Sequence, residues 1–307
     1  MRVFHDISEV RLSEAYSCVA IGNFDGVHLG HQALVLRAIR ASREVGYAPF
    51  VMTFSPHPAE ILRPGTVTRC LTTISEKLLR LERLGLENVL VQRFSFELSQ
   101  LSASEFFSRY LVGLKARRIH VGNDFRFGHD RQGDTEVLRT LGQKNGVTVE
   151  IQSEVTLHGE RISSTQIRDH IKQGRIPEAN TLLGYPFFVS GLVVKGDQRG
   201  RQLGFPTANL AVAEPKLLPP HGVYAGRVHW KGRVLPSVLN IGVRPTFGGS
   251  PKPIVEVHLL RFQEELYGES LRLELVKQLR PERKFASKDE LVNQIRQDVQ
   301  IASEMVP

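Results

Sequence analysis

The sequence predicts an α/β protein of two domains, an N-terminal domain with a parallel sheet and a C-terminal antiparallel β-barrel with a terminal helix. Strand and helix patterns alternate through the first half, which is typical of a parallel sheet. From Phe187 onward the pattern changes to short strands separated by Gly, Pro and charged turns, as in an antiparallel barrel or sandwich. A length of 307 residues fits two domains, and we expect them to span residues 1–185 and 186–307.

The first half contains alternating strand and helix candidates. The strands are expected at residues 18–22, 48–54, 88–92, 118–122 and 147–152, and the helices at 31–46, 75–85, 103–115 and 134–145. Such βαβ units bind ligands at the carboxyl ends of their strands. The loops GNFDGVHLGH (22–31), SPHP (55–58) and GNDFRFG (122–128) follow three of these strands, so we expect the ligand site there.

The remaining elements follow in order. Residues 163–183 predict two helices that are split at 174–177, and these helices close the first domain. Short strands are then expected within residues 187–194, 223–230, 234–242, 254–260 and 271–276. A last helix is expected over about 287–304, with Ser287 as its N-cap and Asp289 and Glu290 in its first turn.

Composition restricts the class of protein. Hydrophobic residues make up 41% and charged residues 23% of the chain, as in an ordinary globular protein. We expect no membrane span and no signal peptide, and the two cysteines favour a reducing cytoplasm. The net charge of +8 is spread along the chain, which favours sites for small anions over nucleic-acid binding. The oligomeric state stays open.

His28 and His31 lie in a glycine-rich turn between a strand and a helix. Backbone N–H groups and the helix dipole at such a place attract anions, and the imidazoles can donate to developing charge on phosphate oxygens. A histidine pair at this spacing can also bind zinc, but we do not expect a zinc site, because no Cys lies at close spacing to complete it. The pattern therefore favours a phosphate site.

Two further segments of the first half carry polar or aromatic groups. Ser163, Ser164 and Thr165 begin a predicted helix with Arg168 on the same face, so they either hold a triphosphate or form a simple cap with a surface Arg. Phe125 and Phe127, next to Asn123 and Asp124, either stack on an aromatic ligand or fill the core. His57 in SPHP is equally compatible with a substrate contact and a structural role.

The second half contains a glycine-rich loop, GDQRGRQLGFPTANL (196–210). Its glycines let the backbone approach phosphates closely, Arg199 and Arg201 add charge, and Thr207 and Asn209 offer oxygen ligands to a hard cation. A glycine-rich hairpin with no ligand is the alternative. In IVEVHLL (254–260), Glu256 shares a face with His258, and this face is either simply exposed or part of a site.

Taken together, these motifs resemble one family. GNFDGVHLGH resembles the (H/T)-x-G-H nucleotidyltransferases, and the ordered series with TFSPHP, VGNDFRFG and RISSTQIR resembles the bacterial bifunctional riboflavin kinase/FMN adenylyltransferases. The 196–210 loop, NIGVRPTFGG, LYG and RPERKF resemble the riboflavin kinase module of the same family. The resemblance covers about residues 15–305 and implies a Rossmann-like nucleotidyltransferase domain before a riboflavin kinase barrel.

The resemblance implies two ATP-dependent reactions, riboflavin to FMN and FMN to FAD, with Mg²⁺ at both sites. It implies that Glu256 activates the 5′-hydroxyl of riboflavin, and that His28 and His31 stabilise the reacting phosphates. The ATP site of the adenylyltransferase would comprise Gly22, Phe24, Asp25, Gly26, His28, His31, Arg161, Ser163, Ser164, Thr165 and Arg168. FMN would contact Asn123, Asp124, Phe125 and Phe127. The ATP site of the kinase would comprise Gly196, Gly200, Arg201, Gly204, Pro206, Thr207 and Asn209, with Thr207 and Asn209 at the metal.

Two other functions remain as alternatives. One is an enzyme with a single activity whose other half only binds flavin. The other is a non-catalytic flavin sensor or a protein that binds nucleic acid through its basic surface. Both ATP motifs are intact in the sequence, which argues against a sensor.

Overall fold

The computed structural model describes residues 1–11, 15–63, 69–196, 199–244 and 252–306. Residues 197–198 of the glycine-rich loop and 245–249 of NIGVRPTFGG, both named above, lie outside this range, as do the side chains of Arg199 and Arg244. The chain divides into two compact units, Met1–Ser163 and Ser164–Pro307. We describe each unit separately.

The first unit contains a parallel sheet. Its strands in the described residues are β1 (Arg2–Phe4), β2 (Ser17–Ile21), β3 (Ala48–Ser55), β4 (Asn88–Arg93), β5 (Ala116–Gly122) and β6 (Thr148–Gln152), in the spatial order β1-β4-β3-β2-β5-β6. All neighbouring pairs are parallel. The five expected strands are confirmed, and the three-residue β1 adds an edge strand.

Helices and a small hairpin complete the first unit. They are α1 (Leu29–Val45), α2 (Pro58–Leu62), α3 (Ile74–Arg83), α4 (Phe96–Ser99), α5 (Ala103–Phe106) and α6 (Thr135–Lys144), with hairpin strands β7 (Thr156–Leu157) and β8 (Glu160–Arg161). The helix expected over 103–115 is α5 followed by a π-helix over Phe107–Val112. The other three expected helices are confirmed with ends shifted by up to two residues.

The loop after β2 lies where the strand order reverses. Strand β2 pairs with β3 on one side and with β5 on the other, so the chain winds in opposite directions from it. Along β2, Val19 and Ile21 join one hydrophobic cluster and Ala20 joins another, because successive side chains point to opposite faces. Ligands of such open sheets bind at this switch point, beyond the carboxyl ends of the strands.

The second unit contains a barrel preceded by two helices. In chain order its elements are α7 (Ser164–Lys172), α8 (Ile176–Leu183), β9 (Phe188–Val194), α9 (Arg199–Gln202), β10 (Ala208–Val212), β11 (Gly222–Trp230), β12 (Arg233–Arg244), β13 (Lys252–Leu259), β14 (Ser270–Pro281) and α10 (Lys288–Met305). In the part of this unit that is described, the strands close in the order β10-β13-β12-β11-β14-β9. Every pair is antiparallel, and the closure of these strands into a ring distinguishes a barrel from a sandwich.

Helix α10 covers part of the outer barrel surface. Ala302 on α10 is completely buried in a cluster with Val223, Ala225, Val238 and Leu260. The Ser287 side chain accepts from the backbone N–H of Glu290, which confirms the expected N-cap. The Asp298 carboxylate on the same helix accepts from Nε and lies 2.9 Å from Nη2 of Arg280 on β14.

Helix α8 is joined to the barrel through Asn180. Its side-chain amide donates to the carbonyl of Leu275 at 3.0 Å and accepts from the backbone N–H of Phe187 at 2.7 Å. Helices α7 and α8 thus belong to the second compact unit, whereas the expected boundary at 185/186 would assign them to the first domain. That boundary stays a prediction.

Candidate active sites

The loop between β2 and α1 has an unusual backbone. Phe24, Gly26 and Val27 all have positive φ, at 48°, 82° and 37°. Positive φ is uncommon outside glycine and is costly for a β-branched residue such as Val27. Such strain persists only where the surrounding structure imposes it, and it is concentrated at functional sites.

His28 and His31 form a stacked pair at the start of α1. Their ring centroids are 3.6 Å apart with planes at 19°. His28 is the N-cap residue, and its Nδ1 accepts from the backbone N–H of His31, so the proton of a neutral His28 lies on Nε2. A Cβ at Gly30 would lie 3.2 Å from the His28 ring. Gly30, the glycine of the (H/T)-x-G-H pattern, was not among the expected site residues, and it makes room for this ring.

Lys77 on α3 donates a hydrogen bond to the backbone of the same loop. Its Nζ donates to the carbonyl of Asn23 at 2.7 Å and lies 3.3 Å from Oγ1 of Thr53. Thr53 donates to the same carbonyl at 3.1 Å. Burial lowers the pKa of Lys77 below its usual value, with the Asp25 charge opposing this shift. Nothing in the sequence pattern distinguishes Lys77 from other basic residues, because its burial depends on tertiary packing.

Two expected ligand residues of this loop have buried side chains. Phe24 is fully buried within the core, so only its backbone can meet a nucleotide. Asp25 is 2% exposed, and its carboxylate accepts from the backbone N–H groups of Leu71 and Thr72. Thr72 Oγ1 in turn accepts from the N–H of Gly26 at 3.1 Å. The Asp25 side chain thus ties the loop to the residues that lead into α3.

The loop after β5 contains an exposed polar network. Arg161 donates to Asp124 at 2.5 Å and pairs with Glu154 at 2.9 Å. Asn123 donates to the same Glu154 carboxylate at 3.3 Å. The structure therefore brings Arg161, which we expected at ATP, together with Asn123 and Asp124, which we expected at FMN. Glu154, which joins them, was not selected from the sequence.

The aromatic residues of this loop differ in burial. The rings of Phe125 and Phe127 are stacked at 5.5 Å. Phe127 is 6% exposed and packs against Phe106 in the core, as expected for a core residue. Phe125 is half-buried at the edge of that cluster. His57, the third uncertain residue, is the N-cap of α2 and forms a capping box with Glu60.

The segment Ser163–Thr165 contains the boundary between the two compact units along the sequence. Ser163 ends the first compact unit and Ser164 begins the second. Helix α7 starts at Ser164, which confirms the expected helix start. Within the second unit, Thr165 is exposed and Arg168 is half-buried on α7. Among the described residues, no group of three or more His, Cys, Asp or Glu side chains could hold a metal ion.

In the second unit, two glycines lie directly over the residues expected at the metal. A Cβ at Gly196 would lie 2.1 Å from Nδ2 of Asn209. A Cβ at Gly200 would lie 2.4 Å from the carbonyl oxygen of Phe205 and 3.1 Å from Oγ1 of Thr207. Any side chain at either glycine would displace these polar groups. Gly196, Gly200 and residues 205–209 therefore form what we call the glycine cradle. Only glycine fits at positions 196 and 200 of this cradle.

Glu256 lies in a polar row across three strands of the barrel. Its register partners are Asn209 on β10 and Asn240 on β12. Asn240 is in turn paired with Val223, which packs in the cluster beneath α10, so the row lies on the outer face of the barrel. The neighbouring Val255 and Val257 are 1% and 0% exposed, whereas Glu256 is half-buried. The alternation expected for this strand is confirmed.

Asn240 was not selected from the sequence. It lies on the strand β12, and only the non-local pairing of β12 with β13 places it beside Glu256. Glu282, in the segment after β14, approaches the same place, because a Cβ at Gly242 would lie 3.4 Å from Oε1 of Glu282 and 3.8 Å from Nδ2 of Asn240. The row is therefore bordered by the start of RPERKF.

A doubly wound sheet with a histidine-bearing loop, followed by a barrel with a glycine cradle, defines a two-domain nucleotide-dependent transferase. The family model FAD synthetase matches residues 11–166, and the model Riboflavin kinase matches residues 183–306. The chain belongs to the family of bifunctional riboflavin kinase/FMN adenylyltransferases.

Three relatives with that name span nearly the whole chain. The protein of Bacillus subtilis is 37% identical over 98% of this chain and 96% of its own length. The protein of Pseudomonas fluorescens is 42% identical over 94% and 93%, and that of Escherichia coli K12 is 39% identical over 99% and 97%.

A solved structure matches 98% of this chain. It is described as a macrolide-efflux protein from Streptococcus pneumoniae, with 32% identity, a TM-score of 0.89 and coverage of 98% of both chains. No helix in the described part of our chain has the length and apolar character of a membrane-spanning segment.

Proposed function

We propose a residue-level assignment for the two reactions of this enzyme. The chain transfers the γ-phosphoryl group of ATP to riboflavin, which gives FMN, and then joins FMN to the AMP part of a second ATP, which gives FAD and pyrophosphate. The observation that carries the assignment is that the histidine loop lies in the first compact unit and the glycine cradle lies in the second. We assign adenylylation to a domain of residues 1–185 and phosphorylation to residues 186–307.

In the adenylyl step, the nucleophile is a phosphate oxygen of FMN and the leaving group is pyrophosphate. That oxygen is already ionised, so no general base is needed. His28 and His31 would donate hydrogen bonds to the α-phosphate and to the leaving pyrophosphate as charge develops. The Nδ1 contact of His28 with the helix N-terminus supports this role, because it leaves Nε2–H as a donor. The strained loop before α1 would supply backbone N–H groups.

The other expected adenylyltransferase residues differ in the roles that we propose for them. Gly22, Gly26, Ser163, Ser164, Thr165 and Arg168 stay proposed contacts of the ATP phosphates. Phe24 and Asp25 would act indirectly, because the first is buried in the core and the second accepts from Leu71 and Thr72. Phe125 would stack on the flavin, since it is less buried than Phe127. When a nucleotide binds, Arg161 would either leave its hydrogen bond with Asp124 or keep the Asp124 carboxylate in its present orientation.

In the kinase step, the nucleophile is the neutral 5′-hydroxyl of riboflavin, so a base accelerates the reaction. Glu256 would accept that proton. Its place between Asn209 and Asn240 supports the role, since both amides can orient a carboxylate. Gly196, Gly200 and Gly204 would let the backbone approach the ATP phosphates, with Arg201 adding charge and Pro206 shaping the turn.

The residues at the cradle fit Mg²⁺. Thr207 and Asn209 offer a hydroxyl and an amide oxygen, the hard ligands that Mg²⁺ prefers. Because Gly196 and Gly200 have no Cβ, space remains beside both side chains. Mg²⁺ would neutralise charge on the β- and γ-phosphates. Thr207 and Asn209 would hold it, and the remaining ligands would come from ATP and water.

Chromatography of the flavins tests the assignment. Protein is mixed with riboflavin, ATP and Mg²⁺, and riboflavin, FMN and FAD are resolved over time. FMN followed by FAD is expected. Formation of FMN alone would support kinase activity without adenylylation. Unchanged riboflavin would support a flavin-binding protein with neither activity. We also propose a reducing cytoplasmic location, supported by the buried cysteines Cys18 and Cys70, which form no disulfide with each other.

A further inference from the structure

His258 lies on the same strand and the same face as Glu256, two residues further along β13. Its Nδ1 is 2.8 Å from the carbonyl oxygen of Pro206. A carbonyl can only accept, so Nδ1 carries a proton and donates to it. The ring also meets Phe205 edge-on, with centroids 5.6 Å apart and planes at 85°. His258 therefore touches two consecutive residues of the cradle, one through a hydrogen bond and one through its ring.

The hydrogen bond fixes more than the atom that it reaches. The carbonyl of Pro206 and the N–H of Thr207 belong to one planar peptide group. A donor that holds the Pro206 oxygen therefore also sets the direction of the Thr207 backbone, one residue before β10 begins at Ala208. The next residue of β10, Asn209, is paired with Glu256. The hydrogen bond from His258 therefore links the turn before β10 to β13, the strand that carries Glu256.

We propose that His258 is a positioning residue of the kinase site, which holds the turn Phe205–Thr207 against β13 so that Thr207 and Asn209 face Glu256. This proposal rests on the assignment of Thr207 and Asn209 to the Mg²⁺–ATP site. The hydrogen bond from Nδ1 to Pro206 carries this positioning effect. It acts before chemistry, on the affinity for Mg²⁺–ATP.

Two variants separate the hydrogen bond from the ring. In His258→Asn, the side-chain amide nitrogen is attached to Cγ, as Nδ1 is in histidine, so a donor returns near the same position without the ring. In His258→Phe, the ring stays beside Phe205 but the donor is lost. We expect His258→Phe to raise the KM for ATP in FMN formation by about threefold to tenfold, the worth of a typical hydrogen bond, with a smaller change in kcat. His258→Asn should keep the KM within about twofold of the unmodified enzyme.

A matched control comes from the same barrel. His229 on β11 pairs with Glu274 at 2.9 Å and lies six residues along the strand from Val223, the β11 residue that is paired with Asn240 of the Glu256 row. At about 3.3 Å per residue, that is roughly 20 Å from the row. His229→Phe should leave the KM for ATP unchanged. FAD formation from supplied FMN should be unchanged in all variants, and thermal unfolding reports any loss of fold.

The series also distinguishes this proposal from the assignment on which it rests. Thr207→Val removes the expected hydroxyl ligand. If Thr207→Val leaves the KM for ATP unchanged, the assigned Mg²⁺–ATP site is wrong. If Thr207→Val raises that KM but His258→Phe does not, or if His258→Asn and His258→Phe are equally impaired, the site stands and the positioning role of His258 is overturned. A folded His258→Phe whose loss lies only in kcat also overturns it.

Discussion

Asn209 and Glu256 lie directly opposite each other on the neighbouring antiparallel strands β10 and β13. Side chains at such paired positions project from the same face and are about 5 Å apart at Cβ. The residue expected at the metal and the residue expected to act as base are therefore neighbours, although 47 positions separate them in the sequence. With the roles proposed above, this arrangement would bring a phosphoryl donor and a hydroxyl acceptor to one place on the barrel.

The first prediction concerns the base. Glu256→Gln keeps the size and hydrogen-bonding capacity of the side chain but removes its basic oxygen. We expect FMN formation to fall by roughly 10²–10⁴-fold, the usual contribution of general base catalysis. Steady-state rates at saturating ATP and riboflavin measure the effect. FAD formation from supplied FMN should be nearly unchanged, because its histidine loop lies in the other compact unit.

Two other results would assign Glu256 a different role. If the loss disappears when ATP, Mg²⁺ or riboflavin is raised, Glu256 holds a ligand in place and does not act as a base. If kinase turnover is normal, Glu256 has neither role and simply occupies an exposed strand face.

The second prediction concerns the histidine loop. His31→Ala should lower FAD formation from FMN by about 10²–10³-fold, by analogy with the loss of a donor to developing charge, while FMN formation continues. The control is His5→Ala, because His5 is exposed and lies in the same compact unit. Unchanged FAD synthesis in His31→Ala would exclude this loop as the catalytic one.

Local patterns predicted the parts of both sites that each sit within one segment. The alternation around Glu256 is confirmed because Val255 and Val257 have to face the barrel interior. The His28 and His31 turn is at a helix start, as expected from the glycines and the following amphipathic pattern. Strand β10 was missed, because it follows the glycine-rich loop and begins two residues after Pro206, and its strand structure comes from its pairing with β9 and β13.

Residues that act across the fold could not be predicted. Lys77 is one of 40 basic residues, and only the packing of α3 buries it against the carbonyl of Asn23. Asn240 reaches Glu256 through a non-local strand pairing. The buried side chain of Asp25 meets Leu71 and Thr72, 46 and 47 positions away, a contact that a local motif does not contain.

The third prediction concerns the glycine cradle. Gly196→Ala would place a Cβ 2.1 Å from Nδ2 of Asn209, so the amide has to leave its present position on the strand pair with Glu256. Overpacking of this kind costs about 1–3 kcal/mol, so we expect FMN formation at limiting ATP to fall by roughly tenfold or more. The control is Gly242→Ala in the same barrel, whose Cβ would be in ordinary contact at 3.4 Å. Equal rates for the two variants would refute the cradle.

The fourth prediction concerns acid stability. Burial lowers the pKa of His120, with Glu150 opposing and Arg37 and Arg118 assisting this shift. Between the lowered pKa and about 6.5, the unfolded chain binds more protons than the folded one, so the free energy of unfolding rises with pH across that window and falls on acidification. In His120→Leu, the stability of the first unit should depend less on pH below 6.5.

Urea unfolding at several pH values measures this effect. Circular dichroism follows both units, and the fluorescence of Trp230, the single tryptophan of the chain, reports the second unit. His5→Leu is the control, because His5 is exposed and its loss should leave the slope unchanged. A His120→Leu protein with the full slope would show that His120 does not couple folding to protons.

The last prediction concerns the independence of the barrel. Residues 164–307 form a compact unit with their own core, so a fragment of these residues should fold and phosphorylate riboflavin alone. A shorter fragment, 187–307, begins after α8 and loses Asn180, which bonds to Leu275 and Phe187. Since each hydrogen bond contributes about 1 kcal/mol and the apolar residues of α8 are lost as well, the shorter fragment should unfold at a lower temperature. It should still show kinase activity below that temperature, because the cradle and Glu256 are retained.

Asn180→Ala in the longer fragment should reproduce part of the loss of thermal stability. If the 164–307 fragment is folded but inactive, the kinase site needs the first unit. If both fragments are equally stable, helix α8 belongs with the first domain, as the boundary at 185/186 predicts.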